Sequence, residues 1–155
     1  MKLAIFDFDG TVSVKDSFAD FVLYSHGVLK TLWGVLVVSP ILILYGLGMI
    51  PNWKAKQKVF AYFYQGWDKE RFDAAAVHYA QKRLPAIVRP AALERLQWHK
   101  REGHRIVVVS ASFEDYLKPW CETQGLDLLA TRVEVKDGKL TGQFASQNCY
   151  GEEKV

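Results

Sequence analysis

Cysteine is scarce in this sequence, because its 155 residues include only Cys121 and Cys149. Two cysteines exclude a disulfide-stapled framework and are typical of a reducing compartment. A large excess of either charge is also absent, since 20 basic and 17 acidic residues give a formal net charge of +3. That charge is too small to indicate a nucleic-acid partner. Asp7 and Asp9 interrupt the first apolar run, so no signal peptide is predicted and we expect a cytoplasmic protein.

Apolar residues, by contrast, are abundant: they make up 50% of the chain, whereas 24% of the residues are charged. This balance is typical of a globular protein that buries a sizeable core. The length suits one domain, or one domain with a small insert. The longest uncharged stretch covers 31–53 and has Ser39 and Pro40 in its middle.

The hydrophobic pattern predicts the order of the elements. A short buried strand is predicted at 3–8, helical patterns recur over 16–103, and a β-branched strand follows at 105–109. Two further strands, at 128–135 and 139–144, enclose an Asp-Gly pair, which is a hairpin signal. The order predicts an α/β fold in which a Rossmann-like parallel sheet is interrupted, after its first strand, by a helical insert.

Two carboxylates follow the first predicted strand. Asp7 and Asp9 are two positions apart, so both would point to the same side of a strand, and ligands bind at the carboxyl ends of strands in such sheets. Two carboxylates at one strand end suit Mg²⁺, and Gly10 permits a sharp turn and a close approach to a ligand. The alternative is a turn in which the acids only cap backbone amides.

Three segments carry a resemblance to a known family. The segment 7–12, with the sequence DFDGTV, resembles motif I of the haloacid dehalogenase-like (HAD) hydrolases. The strand end 107–110, VVVS, is similar to motif II, and Lys154 is similar to the motif III lysine. The resemblance implies a HAD-like core of the phosphoserine phosphatase-like subfamily, called IB, with a C1-type helical cap inserted after the first strand.

The resemblance assigns chemistry to the two acids. It implies that Asp7 attacks phosphorus to form an aspartyl-phosphate, and that Asp9 protonates the leaving oxygen and then activates water. It also implies that Mg²⁺ is the cofactor, held by the Asp7 carboxylate and the Asp9 carbonyl. Dehalogenases of this family lack the second aspartate, so Asp9 favours phosphate chemistry.

The resemblance also implies a phosphate-binding set. Backbone amides around Phe8, Gly10 and Thr11 would cradle the phosphate, and the Ser110–Ala111 strand end would donate to its oxygens. Lys154 would supply a positive charge. Taken without the resemblance, Ser110 reads as a cap of a turn and Lys154 as a surface lysine.

The insert sets the expected domain division and the substrate alternatives. We expect a discontinuous core of 1–15 and 91–155 and a helical cap of 16–90. The apolar segment 31–53 resembles that of phosphatidylglycerophosphatases of the C type, which implies a lipid phosphate as an alternative to a small phosphate monoester. Three readings of 31–53 stay open: buried cap helices, which we expect first, a membrane-dipping hairpin that turns near Ser39 and Pro40, and a single span.

The family also has a fourth, acidic motif that completes its Mg²⁺ site, and no segment of 1–155 matches it. We therefore expect the last core strands to be missing, Mg²⁺ binding to be weak and turnover to be low. The function hypotheses are a Mg²⁺-dependent phosphatase, a lipid-phosphate phosphatase with peripheral membrane contact through 31–53, and a non-catalytic phosphate-binding fragment.

Overall fold

The computed structural model of the chain describes residues 2–145. Its strands are β1 (Leu3–Asp7), β2 (Arg105–Phe113), β3 (Asp127–Thr131), β4 (Val133–Lys136) and β5 (Lys139–Phe144). Its helices are α1 (Ser17–His26), α2 (Val28–Gly46), α3 (Asn52–Tyr64), α4 (Lys69–Lys82), α5 (Leu84–Ile87), α6 (Pro90–Arg101) and α7 (Glu114–Gln124).

The sheet is parallel and has the order β1-β2-β3 within the described residues. Leu3 pairs with Arg105 and Asp7 with Val109, so the carboxyl ends of β1 and β2 lie side by side. Helices α1–α6 lie between these two strands in the chain. The predicted α/β fold with a Rossmann-like sheet is therefore confirmed, whereas the division into 1–15 with 91–155 and 16–90 stays a prediction.

The prediction of one strand at 128–135 is wrong, because this range contains parts of two strands. It consists of β3, which pairs with β2 in the parallel sheet, and β4, which forms an antiparallel hairpin with β5. The hairpin turns at Asp137 and Gly138, as the Asp-Gly pair predicts, and both residues have a positive φ. The β5 strand packs against α3, where Gly142 lies against Ala61.

An aromatic cluster ties the helices to the sheet. Phe21 of α1 lies within 5.5 Å of the ring of Tyr64, 5.2 Å of Tyr79 and 5.0 Å of Tyr116, measured between centroids. These rings come from α3, α4 and α7, so one side chain of α1 joins three other helices. All four are buried, and rings of this size dominate the apolar area that a core removes from water.

Helix α2 corrects the expectation for 31–53. The expected buried cap helices are wrong, because Gly34 and Val38 are the only buried residues of α2, while Leu29 is 83% and Leu36 63% exposed. The helix also has the length and apolar composition to cross a membrane, with a mean hydropathy of 2.0 over its best window. One such helix is weak evidence for a span, because signal sequences and core helices share these properties.

The hairpin predicted to turn near Ser39 and Pro40 is also wrong, because α2 continues through Pro40. Proline has no N–H and leaves the carbonyl four residues earlier, that of Leu36, without its helical donor. The Ser39 hydroxyl donates to this carbonyl at 2.7 Å. The helix continues to Gly46, and the chain turns later, between α2 and α3.

Helices α2 and α3 touch most closely at Gly34. A Cβ added at this position would overlap the ring of Phe63, whereas one added at Gly46 of the same helix would meet nothing within 4 Å. Gly34 is thus the residue that lets the two helices approach.

We expect Gly34→Ala to lower the free energy of unfolding by about 1–3 kcal/mol, the usual cost of overpacking. Gly46→Ala, the matched control, should leave stability unchanged or raise it by up to about 1 kcal/mol because it removes backbone freedom from the unfolded chain. Urea denaturation of both variants measures the difference. Equal free energies of unfolding for the two variants would contradict the close contact between Gly34 and Phe63.

A buried carboxylate connects α1 to α4. Arg83 donates to both oxygens of Asp20, at 3.0 and 2.9 Å, and the Tyr79 hydroxyl donates at 3.0 Å. Lys15 lies 3.4 Å from the same carboxylate. Burial acts to raise the pKa of Asp20, but these hydrogen bonds and charges outweigh it and place the pKa below its ordinary value of 3.8.

We expect Arg83→Met to destabilise the protein by about 2 kcal/mol, less than for a fully buried pair because the Arg83 side chain is 38% exposed. Asp20 has a lowered pKa, so its stabilisation is complete above pH 3.8 and is lost as the pH falls through the folded-state value. The difference in the free energy of unfolding between wild type and Arg83→Met should therefore become smaller below pH 3.8. Arg101→Met, at an exposed position, is the control; a difference that does not change with pH would contradict the role of Asp20.

Candidate active site

The candidate site lies where the carboxyl ends of β1 and β2 meet. Asp7 ends β1, and Ser110 and Ala111 lie near the end of β2. Asp7, Asp9 and Ala111 line one cavity of about 410 Å³. The structure thus brings together both predicted acids and the predicted strand end, whereas Lys154 lies outside the described residues.

Asp9 reaches this cavity from a turn and not from the strand, which corrects the alternation argument. The strand stops at Asp7, and Phe8–Val12 forms a tight turn in which Asp9 has φ −70° and ψ 122° and Gly10 has φ 77°. A positive φ of this kind is readily adopted by glycine. Both carboxylates line the cavity although the strand is too short to hold both: Asp7 ends β1, and Asp9 lies in the turn that follows.

Three donors hold the Asp9 carboxylate. The Ser17 amide donates to Oδ1 at 2.7 Å, and the hydroxyls of Ser110 and Ser112 donate to Oδ2 at 3.1 and 2.6 Å. The resemblance assigned the Ser110 hydroxyl to a phosphate oxygen; in this structure it bonds to Asp9. The acid is therefore oriented by the strand end and by the first turn of α1 together.

Sequence reasoning missed the residues behind Asp9. The Ser17 hydroxyl donates to Ser112 at 3.0 Å and lies 3.0 Å from the Tyr116 hydroxyl, and all three residues are buried. Burial, and then the nearby charge of Asp9, raise the pKa of Tyr116 well above its ordinary value, so its hydroxyl stays protonated. Ser112 is two residues after Ser110, and this strand-like spacing was the signal in the sequence that could have found it.

The expected phosphate cradle lies beside the cavity. Phe8 is buried and packs against Trp120, whereas Gly10 and Thr11 are exposed. The Gly10 amide donates to the Ser13 hydroxyl at 3.3 Å, and the Gly10 carbonyl accepts from Arg89 at 3.4 Å. The turn is thus braced from both sides, and the roles of its amides stay predictions.

Apolar side chains from α2 and α3 form the far wall of the cavity. Val35, Val38 and Leu42 contribute from α2, and Val59 and Phe63 from α3. These residues line the same cavity as the acids, so one side of α2 is part of the site even though most of the helix is exposed. A wall of this kind suits an apolar part of a ligand.

Polar groups on this wall are few. Thr31 and Asn52 line the cavity, and the buried Thr31 hydroxyl has no hydrogen-bond partner among residues 2–145. Lys56 of α3 reaches across to the sheet, where its ammonium donates to the Ala111 carbonyl at 2.5 Å. Lys56 was not among the sequence-predicted site residues.

The donor set at the acids fits a magnesium ion. Within residues 2–145, no three His, Cys, Asp or Glu side chains form a metal-binding cluster. Magnesium does not need such a cage, because one or two carboxylates, water and the substrate phosphate usually hold it. The carboxylate of Asp7 and the carbonyl of Asp9 are hard oxygen donors of this kind.

Comparisons with known proteins identify the family. The profile of the haloacid dehalogenase-like hydrolases matches residues 4–155. Protein CicA of Caulobacter vibrioides is 33% identical over 155 residues, which cover 99% of this chain and 69% of CicA. A probable phosphatase of Mycobacterium tuberculosis is 30% identical over 161 residues, which cover 98% of this chain and 54% of that protein.

Solved structures agree with this result. A protein of unknown function from Bordetella pertussis has a TM-score of 0.82 at 20% identity and is covered over 70% of its length, with 99% of this chain matched. A phosphoserine phosphatase with a phospho-aspartyl intermediate analogue has a TM-score of 0.61 at 27% identity; the match covers 92% of this chain and 62% of that one. The chain therefore belongs to the haloacid dehalogenase-like hydrolases and is of the phosphoserine phosphatase-like type.

Proposed function

We propose that the protein is a Mg²⁺-dependent phosphatase that hydrolyses a phosphate monoester through an aspartyl-phosphate at Asp7. The observation that carries this proposal is the shared cavity of Asp7 and Asp9 at the carboxyl edge of the sheet. The name of the mycobacterial relative and the phospho-aspartyl analogue of the structural neighbour support the same chemistry. A small phosphorylated substrate follows from the family.

The residues account for both halves of the reaction. A carboxylate oxygen of Asp7 attacks phosphorus, the ester P–O bond breaks, and the leaving oxygen takes a proton from Asp9. Asp9 then accepts a proton from water, whose oxygen attacks phosphorus and breaks the bond to Asp7. This releases inorganic phosphate and restores both acids. Ser17, Ser110 and Ser112 hold Asp9 in place for both proton transfers.

Magnesium would be held by the Asp7 carboxylate and the Asp9 carbonyl. When bound, it supplies positive charge that screens the carboxylate nucleophile from the phosphate oxygens. The weak binding and low turnover expected from the lack of a fourth acidic motif in 1–155 stay predictions, which a magnesium titration of phosphate release would test.

We expect Asp7→Asn to abolish phosphate release from p-nitrophenyl phosphate, because an amide is not a nucleophile of this kind. The loss should exceed about 1,000-fold in kcat, which corresponds to roughly 4 kcal/mol of barrier. The covalent intermediate, measured by acid quench and mass spectrometry, should appear on Asp7 in the wild-type chain and disappear in the variant.

Asp137→Asn is the matched control, since Asp137 is exposed in the hairpin turn and has the positive φ that asparagine tolerates. It should retain wild-type turnover. Turnover that survives in Asp7→Asn would contradict the proposal. A wild-type chain that binds phosphate but neither turns over nor forms the intermediate would point to the non-catalytic alternative.

A second candidate is a lipid-phosphate phosphatase that works at the cytoplasmic surface of a membrane. The observation that favours it is α2, whose inner side lines the site while Leu29, Leu32 and Leu36 are exposed to solvent. Exposed apolar patches of this extent mark interaction surfaces. Docked on a bilayer, such a helix would place the cavity beside lipid headgroups.

The charges near α2 suit an anionic surface. The helix contains no acidic residue, and Lys30, Lys54 and Lys58 are exposed on α2 and α3. Basic side chains near a membrane each add about 1 kcal/mol of attraction to anionic lipid. Apolar contact and charge would thus favour the same peripheral contact.

We expect the protein to bind vesicles that contain phosphatidylglycerol, and Leu32→Asp with Leu36→Asp to weaken this binding at least about tenfold, because the aspartates lose apolar burial and repel anionic lipid. Vesicle flotation measures the bound fraction. Val77→Asp is the control, since Val77 is an exposed apolar residue of α4. Equal flotation of both variants and wild type would rule out the contact.

A further inference from the structure

Lys56 occupies an unusual place for a lysine. Its ammonium lies 5.5 Å from the ring centroids of both Phe18 and Phe113, which pack edge to face at 5.2 Å. Phe113 is fully buried and Phe18 nearly so. Lys56 itself is half-buried, and aromatic rings attract a cation placed near their faces. The ammonium therefore lies against two rings of the aromatic core.

Its carbonyl partner belongs to the predicted phosphate-binding strand end. The Ala111 carbonyl accepts from Lys56 at 2.5 Å and from the Thr131 hydroxyl at 3.1 Å. Ala111 directly follows Ser110, which bonds to Asp9. The ammonium is thus anchored at the end of β2 and not over the apolar wall of the cavity.

Most of the charged residues that line the cavity are acidic. Asp7, Asp9 and Asp16 all line it, and among the described residues Lys56 is the one lysine or arginine that does so. A phosphate dianion that approaches these carboxylates is repelled, and the interaction is strong because little water separates charges in a cleft. A cation in the same cavity offsets this repulsion.

We propose that Lys56, contributed by the helical insert, binds the scissile phosphate from the end of β2, in the cavity that the acids also line. This deepens the proposed function and depends on it only in placing phosphate in this cavity. Lys56 is thus a phosphate-binding residue that the motifs of the family do not contain.

The test measures the Kd of inorganic phosphate by calorimetry, with and without MgCl₂, so that no turnover is needed. Lys56→Met should raise the Kd about tenfold or more, the size expected for the loss of one charge-assisted hydrogen bond. Lys56→Arg retains the charge, so its phosphate Kd should stay within about threefold of the wild-type value. Lys58→Met is the matched control, because Lys58 is exposed on the same helix, and its Kd should not change.

A purely structural lysine would give a different result. In that case Lys56→Met would lose stability but retain the wild-type Kd, which would overturn the proposal, as would a wild-type chain that does not bind phosphate. If the variants do not fold, acetylation of the wild-type chain decides: phosphate should slow the labelling of Lys56 and not of Lys58. Equal labelling of Lys56 with and without phosphate would also overturn it.

The two proposals fail separately. Phosphate binding that depends on Lys56, without turnover, supports this inference and contradicts the proposed activity. Turnover that depends on Asp7, with an unchanged phosphate Kd in Lys56→Met, supports the activity and overturns this inference.

Discussion

The hydrogen bonds to the Asp9 carboxylate are the constraint on which the site depends. They join three parts of the chain, namely the turn after β1, the first turn of α1 through Ser17, and the end of β2 through Ser110 and Ser112. A half-buried carboxylate is stabilised when donors match it, so these segments are held in one relative position. The cavity, its acids and the start of the helical insert are arranged around this group.

Much of the sheet and the site could be predicted from the sequence because the signals are local. The β-branched run of β2 and the Asp-Gly turn before β5 each specify their own structure. Asp7 and Asp9 were predicted at the sheet edge, although Asp9 lies in the turn after β1 and not in the strand itself. The family resemblance was confirmed by the profile match over residues 4–155.

The errors arose where distant contacts decide the structure. The pairing of β3 with β2 shifts between Val109 and Phe113, and no local pattern reveals that 128–135 divides between two sheets. Lys56 was not among the predicted site residues, because its partner, Ala111, is 55 residues away in the sequence. An apolar helix looks the same in sequence whether it is buried or exposed, so the exposure of α2 could not be predicted.

The hydrogen bond from the Ser39 hydroxyl affects which environments α2 can tolerate, namely water or hydrocarbon. In a helix surrounded by water, the carbonyl that Pro40 leaves unpaired would simply be hydrated. Next to hydrocarbon it would lack any partner, at a cost of several kcal/mol. Because Ser39 donates to the Leu36 carbonyl at 2.7 Å, the helix itself supplies the hydrogen bond that water would otherwise provide. The midpoint of α2 is therefore as compatible with a dry, apolar neighbour as it is with solvent.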